Sequence, residues 1–206
     1  MTDMKTVVHH LRHHFREQGD HFAHIARGAA CEQWINSEIV VCLNRSGLLA
    51  EGERAQGELA KRDVVIGTGY PKMRVHRVLE VKLLHQWRSP KLWKEKLEKL
   101  RLQMHAGTMY DDETASVRRS GLLSGIWFDD PISRSALKPK EEPAEFFPRL
   151  RELAGSAFPQ DQGFTTQHGH RFEPVFEQPM AINVGTQKSP RVLKVQIKML
   201  LVTNRE

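Results

Sequence analysis

Apolar residues recur along this chain with two spacings, one typical of helices and one typical of strands. Positions three and four residues apart predict amphipathic helices, and short runs of β-branched and aliphatic residues between Gly, Pro or Asn predict strands. The predicted elements are helices at 1–27 and 29–44, strands at about 58–66 and 74–84, a helix at 91–104, a strand at 121–128, a helix at 144–157 and a strand at 192–202. A turn or hairpin is predicted at 45–57 and a loop at 129–143. The strand, helix and strand in succession predict a right-handed crossover between parallel strands, and therefore an α/β fold.

The first two predicted strands carry charged residues inside apolar runs, and these are Asp63, Glu80 and Lys82. Because side chains alternate along a strand, Glu80 and Lys82 point to the same face. Charges in such places are costly unless they are paired or bind a metal. The alternative is the solvent face of an edge strand. Val78 and Leu84 share the face of the two charges, which favours a strand that is buried on both sides.

The balance of charge favours a polyanionic partner. The chain of 206 residues has 31 Lys and Arg against 25 Asp and Glu, which gives a net charge of +6 and a pI near 9.5. Nucleic acid is the obvious polyanion for such a protein. A moderately basic protein without such a partner has a similar composition, so charge alone does not decide the question.

Length and the distribution of apolar residues indicate one domain. No apolar run approaches the roughly 20 residues that span a bilayer, and the polar, His-rich start is unlike a secretory signal. Cys31 and Cys42 lie in one predicted helix about 16 Å apart, which predicts reduced core thiols in a cytoplasmic protein. We expect a single domain over 1–206, with 1–27 a His-rich N-terminal helical extension and 129–206 a C-terminal elaboration.

The N-terminal segment repeats histidines at helical spacing. His9 and His13, and likewise His10 and His14, are four residues apart and share a helix face. Such a pair can bind a transition metal. A solvated face, or one that contacts phosphates, is the interpretation that we favour.

The order of elements over residues 29–128 resembles the PD-(D/E)XK nuclease superfamily, whose fold is restriction-endonuclease-like. The shared order is a helix with an acidic residue, a strand with Asp, a strand with Glu-x-Lys, a helix and a strand. Arg62-Asp63 stands where the family has Pro-Asp, so the Pro is absent, and Glu80-Val81-Lys82 matches the second half of the motif. The resemblance implies a restriction-endonuclease-like core with a central mixed β-sheet flanked by helices. It also implies a Mg²⁺-dependent nuclease, foremost a DNA endonuclease.

The resemblance also assigns roles to the residues of the motif. Asp63, Glu80 and the backbone carbonyl of Val81 would ligate Mg²⁺ or Mn²⁺, which prefer oxygen ligands. Lys82 would orient a water or stabilise charge on the phosphate. The family's helical Glu has two candidates in this chain. Helical phase favours Glu38, which lies beside the apolar stripe of its helix, over the weaker candidate Glu32.

Further residues are predicted to support the site or to contact the nucleic acid. Gln103, at the end of the helix that follows the motif, is a weaker candidate because related nucleases often use a Gln or Lys there. Basic residues around the motif strands would contact phosphates and position the substrate without reading its sequence. They are Lys61, Arg62, Arg74, Arg88, Lys91, Arg118 and Arg119.

Two other functional classes stay open at this point. A non-catalytic nucleic-acid-binding or assembly protein could keep the same fold, and so could an unrelated α/β interaction protein. The chain contains no Walker A, GxGxxG, CxxC or HExxH motif that would favour a different chemistry. A homodimer would suit a double-strand cut, and residues 129–190 could supply its interface.

Overall fold

The protein forms one mixed sheet with helices on both faces. A computed structural model describes residues 4–18, 21, 31–59, 62–85, 89–105, 117–129, 143–157, 170–183 and 192–204. Its helices are α1 (Met4–Glu17), α2 (Cys31–Arg45), α3 (Pro90–His105) and α4 (Pro143–Ala157). Its strands are β1 (Glu53–Leu59), β2 (Arg62–Thr68), β3 (Arg74–His85), β4 (Arg118–Asp129), β5 (His170–Asn183) and β6 (Val192–Asn204).

The six strands lie in the order β1-β2-β3-β4-β6-β5. β3 and β4 are parallel, as the succession of strand, helix and strand predicted, and the other neighbouring strands are antiparallel. The predicted α/β class, with a mixed sheet flanked by helices, is therefore confirmed. In the described part of the chain, no helix is long and apolar enough to cross a membrane.

Two strands were not predicted from the sequence. β1 lies largely within the segment that was predicted to be a turn or hairpin, and the expected strand at 58–66 contains the end of β1 and most of β2. β5 falls where no element was assigned. Most of the predicted loop at 129–143 lies outside the described residues.

The two faces of the sheet are covered by different pairs of helices. We call them the α2 face, which α1 and α2 cover, and the α3 face, which α3 and α4 cover. Leu79, Val81 and Leu83 of β3 belong to the core of the α2 face. The alternation of the strand then places Glu80 and Lys82 on the α3 face, and both are buried there.

The two cysteines of α2 lie in the core of the α2 face. Both thiols are free and buried, as predicted. Burial, with a smaller contribution from the neighbouring Glu32, raises the pKa of Cys31 to about 12. Burial and nearby Glu38 raise the pKa of Cys42 to about 11. Because the thiolate is the reactive form of cysteine, neither residue is suited to act as a nucleophile.

Close packing on the α3 face depends on two glycines of β4. A Cβ atom at Gly121 would lie 2.9 Å from Leu100 and 3.1 Å from Met104, both on α3. A Cβ atom at Gly125 would collide with the side chain of Leu150 on α4. The absence of side chains at these positions lets both helices approach the sheet closely.

β3 extends past the end of its pairing with β2. The antiparallel pairing runs from Thr68 and Arg74 to Val64 and Leu79. Beyond this point, none of the described strands pairs with this edge of β3, and the backbone groups of Val81 and Leu83 there need other partners. The candidate functional residues gather along this free edge.

Candidate active site

The ammonium group of Lys82 lies at the centre of the predicted motif. Its Nζ atom is 3.1 Å from Oδ2 of Asp63, 2.8 Å from the carbonyl oxygen of Val81 and 3.9 Å from Oε2 of Glu80. These three oxygens are the ones that the resemblance assigns as metal ligands. The fold therefore directs all three toward one cation, and in this structure that cation is the side chain of Lys82.

Asp63 reaches the site from the start of β2. Extending the register of β2 and β3 by one residue past Val64 and Leu79 places Asp63 opposite Glu80. Oδ2 of Asp63 accepts a hydrogen bond of 2.7 Å from the backbone N–H of Val81 as well as the one from the ammonium group. The carboxylate thus replaces the strand partner that β3 lacks at this position.

The carboxyl group of Glu80 is buried, which disfavours its charged form. Its side chain is 3% exposed. Burial, together with the neighbouring carboxylate of Asp63, raises the pKa of Glu80 to about 7, and the positive charges of Lys82 and Arg119 reduce this shift. Near neutral pH, Glu80 therefore exchanges a proton readily, and a cation of higher charge could take the place of that proton.

Gln103 holds Glu80 from the opposite side. Nε2 of Gln103 donates a hydrogen bond of 2.8 Å to Oε2 of Glu80. The register of β3 and β4 pairs Glu80 with Gly121, the residue that allows α3 to pack closely. Oε1 of Gln103 is buried and has no hydrogen-bond partner in the structure. The weaker sequence candidate therefore contacts the site directly.

A second ammonium–carboxylate pair lies two residues further along β3. Oε2 of Glu32 on α2 accepts a hydrogen bond of 3.2 Å from the N–H of Leu83. Nζ of Lys96 on α3 donates to the carbonyl of Leu83 at 3.0 Å and lies 3.2 Å from Oε2 of Glu32. The pair repeats at Leu83 the geometry that Asp63 and Lys82 have at Val81.

The sequence reasoning missed Lys96, although the chain contains a signal for it. Lys96 and Gln103 are seven residues apart on α3, which is two helical turns. Residues at this spacing lie on the same helix face. The assignment of Gln103 to the site could therefore have extended to Lys96.

The helical carboxylate that reaches β3 is Glu32, and the preference for Glu38 was wrong in this respect. Glu38 lies 2.7 Å from Nε2 of His14 on α1. Helical phase measured only how close each carboxylate lies to the apolar stripe of α2. It could not tell which flank of the stripe faces α1 and which faces β3.

The remaining histidines of α1 make local contacts. Nε2 of His13 lies 3.0 Å from Oε1 of Glu17, and both side chains are exposed. The rings of His9 and His10 meet edge to face with centroids 5.8 Å apart. Buried apolar residues of α1 fix the helix on the α2 face, namely Val7, Leu11 and Phe15.

The predicted phosphate contacts differ in how accessible they are. Arg74, Lys91 and Arg118 are exposed, and Arg119 is half-buried and close enough to lower the pKa of Glu80. Arg62 is buried, so its guanidinium group is less available to a substrate than that of Arg74. Lys61 and Arg88 lie outside the described residues.

The oxygen donors at this site are of the kind that bind hard divalent cations. Within the described ranges, no three His, Cys, Asp or Glu side chains form a group that could hold a metal ion. Two carboxylates and the carbonyl of Val81 nevertheless converge, and oxygen donors of this kind suit Mg²⁺. The ammonium of Lys82 lies where these donors meet, so a metal and this ammonium would compete for the same oxygens.

Comparison of the chain with protein-family models, with curated proteins and with solved structures finds no match in any of the three. The likeness to PD-(D/E)XK nucleases therefore depends on the motif residues and on their arrangement along β2 and β3.

Proposed function

We propose that this protein is a Mg²⁺-dependent nuclease with a restriction-endonuclease-like core, and that it hydrolyses phosphodiester bonds in DNA. The observation that supports this proposal best is the convergence of Asp63, Glu80 and the Val81 carbonyl on the ammonium of Lys82. Two carboxylates around one ammonium leave a net negative charge when both are ionised. A divalent cation would neutralise that charge better than the ammonium does.

The residues divide between holding the metal and acting on the substrate. Asp63, Glu80 and the carbonyl of Val81 would hold Mg²⁺, which would polarise the scissile phosphate and lower the pKa of a bound water. Lys82, freed from these oxygens, has a flexible four-carbon stem and can stabilise the charge that develops on the phosphate. Gln103 keeps the carboxylate of Glu80 in position through its hydrogen bond.

The surroundings of the site suit a polyanionic substrate. The Asp63 side chain is 22% exposed, so the substrate has an approach from its side of the site. Arg119 lies close to Glu80, and the exposed Arg74, Lys91 and Arg118 can contact phosphates at greater distance. The net charge of +6 favours association with nucleic acid in the same way.

Cleavage of plasmid DNA tests the proposal, with Mg²⁺ present and then removed by EDTA. We expect the wild-type protein to nick or cut the plasmid only with Mg²⁺, and Glu80→Gln and Lys82→Met to lose at least about 100-fold in rate. Lys96→Met is the matched control because it removes an ammonium from the neighbouring pair. Equal rates in all four proteins, or cleavage that survives EDTA, would contradict the proposal.

One observation favours a second candidate, a non-catalytic nucleic-acid-binding protein that keeps this fold. Lys82 pairs with Asp63 and the Val81 carbonyl within hydrogen-bond distance, and this arrangement can stabilise β3 without a metal. Titration calorimetry separates the two candidates. Mg²⁺ binding that Glu80→Gln abolishes supports the nuclease, whereas tight DNA binding without Mg²⁺ binding or cleavage supports the second candidate.

A further inference from the structure

Tyr70, in the turn between β2 and β3, is the most exposed of the large apolar residues that the structure describes. Its exposed fraction is 85%, compared with 61% for Val192 and 53% for Leu102. A single exposed apolar residue is ordinary on a protein surface. The neighbours of Tyr70 are what distinguish it.

One face of the Tyr70 ring is backed by a cation. The guanidinium carbon of Arg54 lies 5.3 Å from the centroid of the ring, within the range of a cation–π contact. The turn itself is tight, since Gly69 has a φ of +94° and a Cβ atom there would lie 2.8 Å from the carbonyl oxygen of Lys72. Arg54 thus contacts one face of the ring, and the high exposure of Tyr70 leaves the other face open to solvent.

The turn is also basic. Lys72 and Arg74 are exposed on either side of Met73, and Arg54 adds a third positive charge. Of the nearby acids, Glu53 is opposite Thr68 in the register, and its carboxylate accepts a hydrogen bond of 3.0 Å from the N–H of Ala50. Exposed aromatic rings beside Lys and Arg are the elements with which proteins bind single-stranded nucleic acid.

The turn lies on the same hairpin as the candidate active site. β2 runs from Asp63, near its start, to Thr68 at the turn, so five residues at about 3.3 Å each separate the two ends by roughly 17 Å. A strand of nucleic acid that lies along the hairpin could contact both. This distance corresponds to about five nucleotides at duplex spacing.

We propose that the β2–β3 turn binds an unpaired segment of nucleic acid by stacking a base on the free face of Tyr70. Lys72 and Arg74 contact the phosphates on either side of that base. This inference rests on the proposed function in taking nucleic acid as the substrate, and it narrows the substrate to DNA with a single-stranded region near the cut. Arg54 acts by holding the ring in place.

Binding measured in EDTA tests the inference without interference from cleavage. The probe is a fluorescein-labelled 20-nucleotide single strand, compared by anisotropy with the duplex of the same sequence. We expect Tyr70→Ala to raise the Kd for the single strand about 10-fold and to change the Kd for the duplex less than twofold. Tyr70→Trp and Tyr70→Phe should bind like the wild type, because both retain a ring.

Three further measurements separate stacking from a general loss of charge or fold. Leu102→Ala, at another exposed apolar residue, should bind both probes like the wild type. Lys72→Ala and Arg74→Ala should each lower the slope of log K against log salt by about 0.7 for the single strand. Because Tyr70 is 85% exposed, its replacement should leave the circular dichroism spectrum unchanged.

The outcomes distinguish this inference from the proposed function. If the wild type cleaves DNA but Tyr70→Ala binds the single strand normally, the inference is wrong and the nuclease stands. If Tyr70→Ala weakens single-strand binding while the wild type never cleaves, the inference stands and the nuclease is wrong. Equal weakening for single strand and duplex, or no binding of the single strand by the wild type, overturns the inference.

Discussion

The ammonium–carboxylate pairs at Val81 and Leu83 make the same hydrogen bonds to the backbone of β3, but they differ in burial and in charge balance. In each, a carboxylate accepts the strand's N–H and an ammonium donates to the carbonyl of the same residue. At Val81 the exposed fractions are 7% for Lys82 and 22% for Asp63. At Leu83 they are 41% for Lys96 and 31% for Glu32.

The difference in charge balance is more instructive than the difference in burial. The contacts described at Leu83 contain one carboxylate and one ammonium, so that pair is neutral and needs no further ion. At Val81, Glu80 adds a second carboxylate to the same ammonium. The excess negative charge must be met by a proton or by another cation, and this requirement distinguishes the site at Val81 from the neutral pair at Leu83.

Among these variants, removal of the Lys82 ammonium at Val81 should lower the free energy of unfolding the most. Lys82→Met leaves the buried carboxylate of Glu80 beside the half-buried carboxylate of Asp63 without their ammonium, and we expect the free energy of unfolding in EDTA to fall by about 3 kcal/mol. Mg²⁺ should restore more stability to this variant than it adds to the wild type, because the ammonium no longer competes for the oxygens. Thermal melts with and without Mg²⁺ measure both effects. A loss that Mg²⁺ does not relieve would argue against a metal at this position.

Gly121→Val should affect both pairs at once. Its side chain would collide with Leu100 and Met104, and displacement of α3 would move Gln103 and Lys96 together. We expect a loss of about 2 kcal/mol, which is typical of overpacking. Urea denaturation measures this loss. Gly57→Ala is the matched control, since a Cβ atom there meets only contacts of 3.8 Å. An unchanged free energy of unfolding in Gly121→Val would contradict this account.

The protonation of Glu80 should make stability depend on pH. Its pKa is about 7 in the folded protein and near 4.5 when unfolded. The folded state therefore keeps a proton that the unfolded state releases, and stability falls as pH rises from about 4.5 to about 7. We expect a fall of about 2 kcal/mol in EDTA, and Glu80→Gln should lack it. Urea denaturation of both proteins at pH 5 and pH 8 gives the difference. Parallel profiles would contradict the shifted pKa.

Lys96→Met should lower the free energy of unfolding the least. The pair at Leu83 is partly exposed, and such pairs contribute at most about 1 kcal/mol. Hydrogen exchange of the β3 amides should show faster opening near Leu83 and little change elsewhere. The response of this variant to Mg²⁺ should equal that of the wild type. A loss as large as that of Lys82→Met would remove the distinction between the two pairs.

The residues that could be predicted from the sequence are those whose placement follows from local geometry. Alternation along one strand places Glu80 and Lys82 together, and a short hairpin brings Asp63 opposite them. The parallel pairing of β3 and β4 follows from the intervening helix. These are short-range consequences of chain direction and strand period.

What could not be predicted depends on how elements pack. β1 is largely polar and has the sequence ERAQGEL, so no alternation of apolar residues identified it. β5 contains Pro174 and Pro179, which disfavour a strand in general and are tolerated here because β5 lies at the edge of the sheet. The choice between Glu32 and Glu38 required knowing which flank of α2 faces β3.

The close approach of α3 to Gly121 has a consequence for the timing of synthesis. The residues at the Val81 site all precede residue 105, and they are Asp63, Glu80, Val81, Lys82 and Gln103. The helix that carries Gln103 nevertheless packs on β4, and β4 in turn pairs with β6 (residues 192–204). A ribosome that has released only the first 105 residues therefore presents all of these side chains without the surface that positions them. We therefore expect the proposed nuclease activity to appear only after β6 has emerged, which would protect the cell's own nucleic acids during translation.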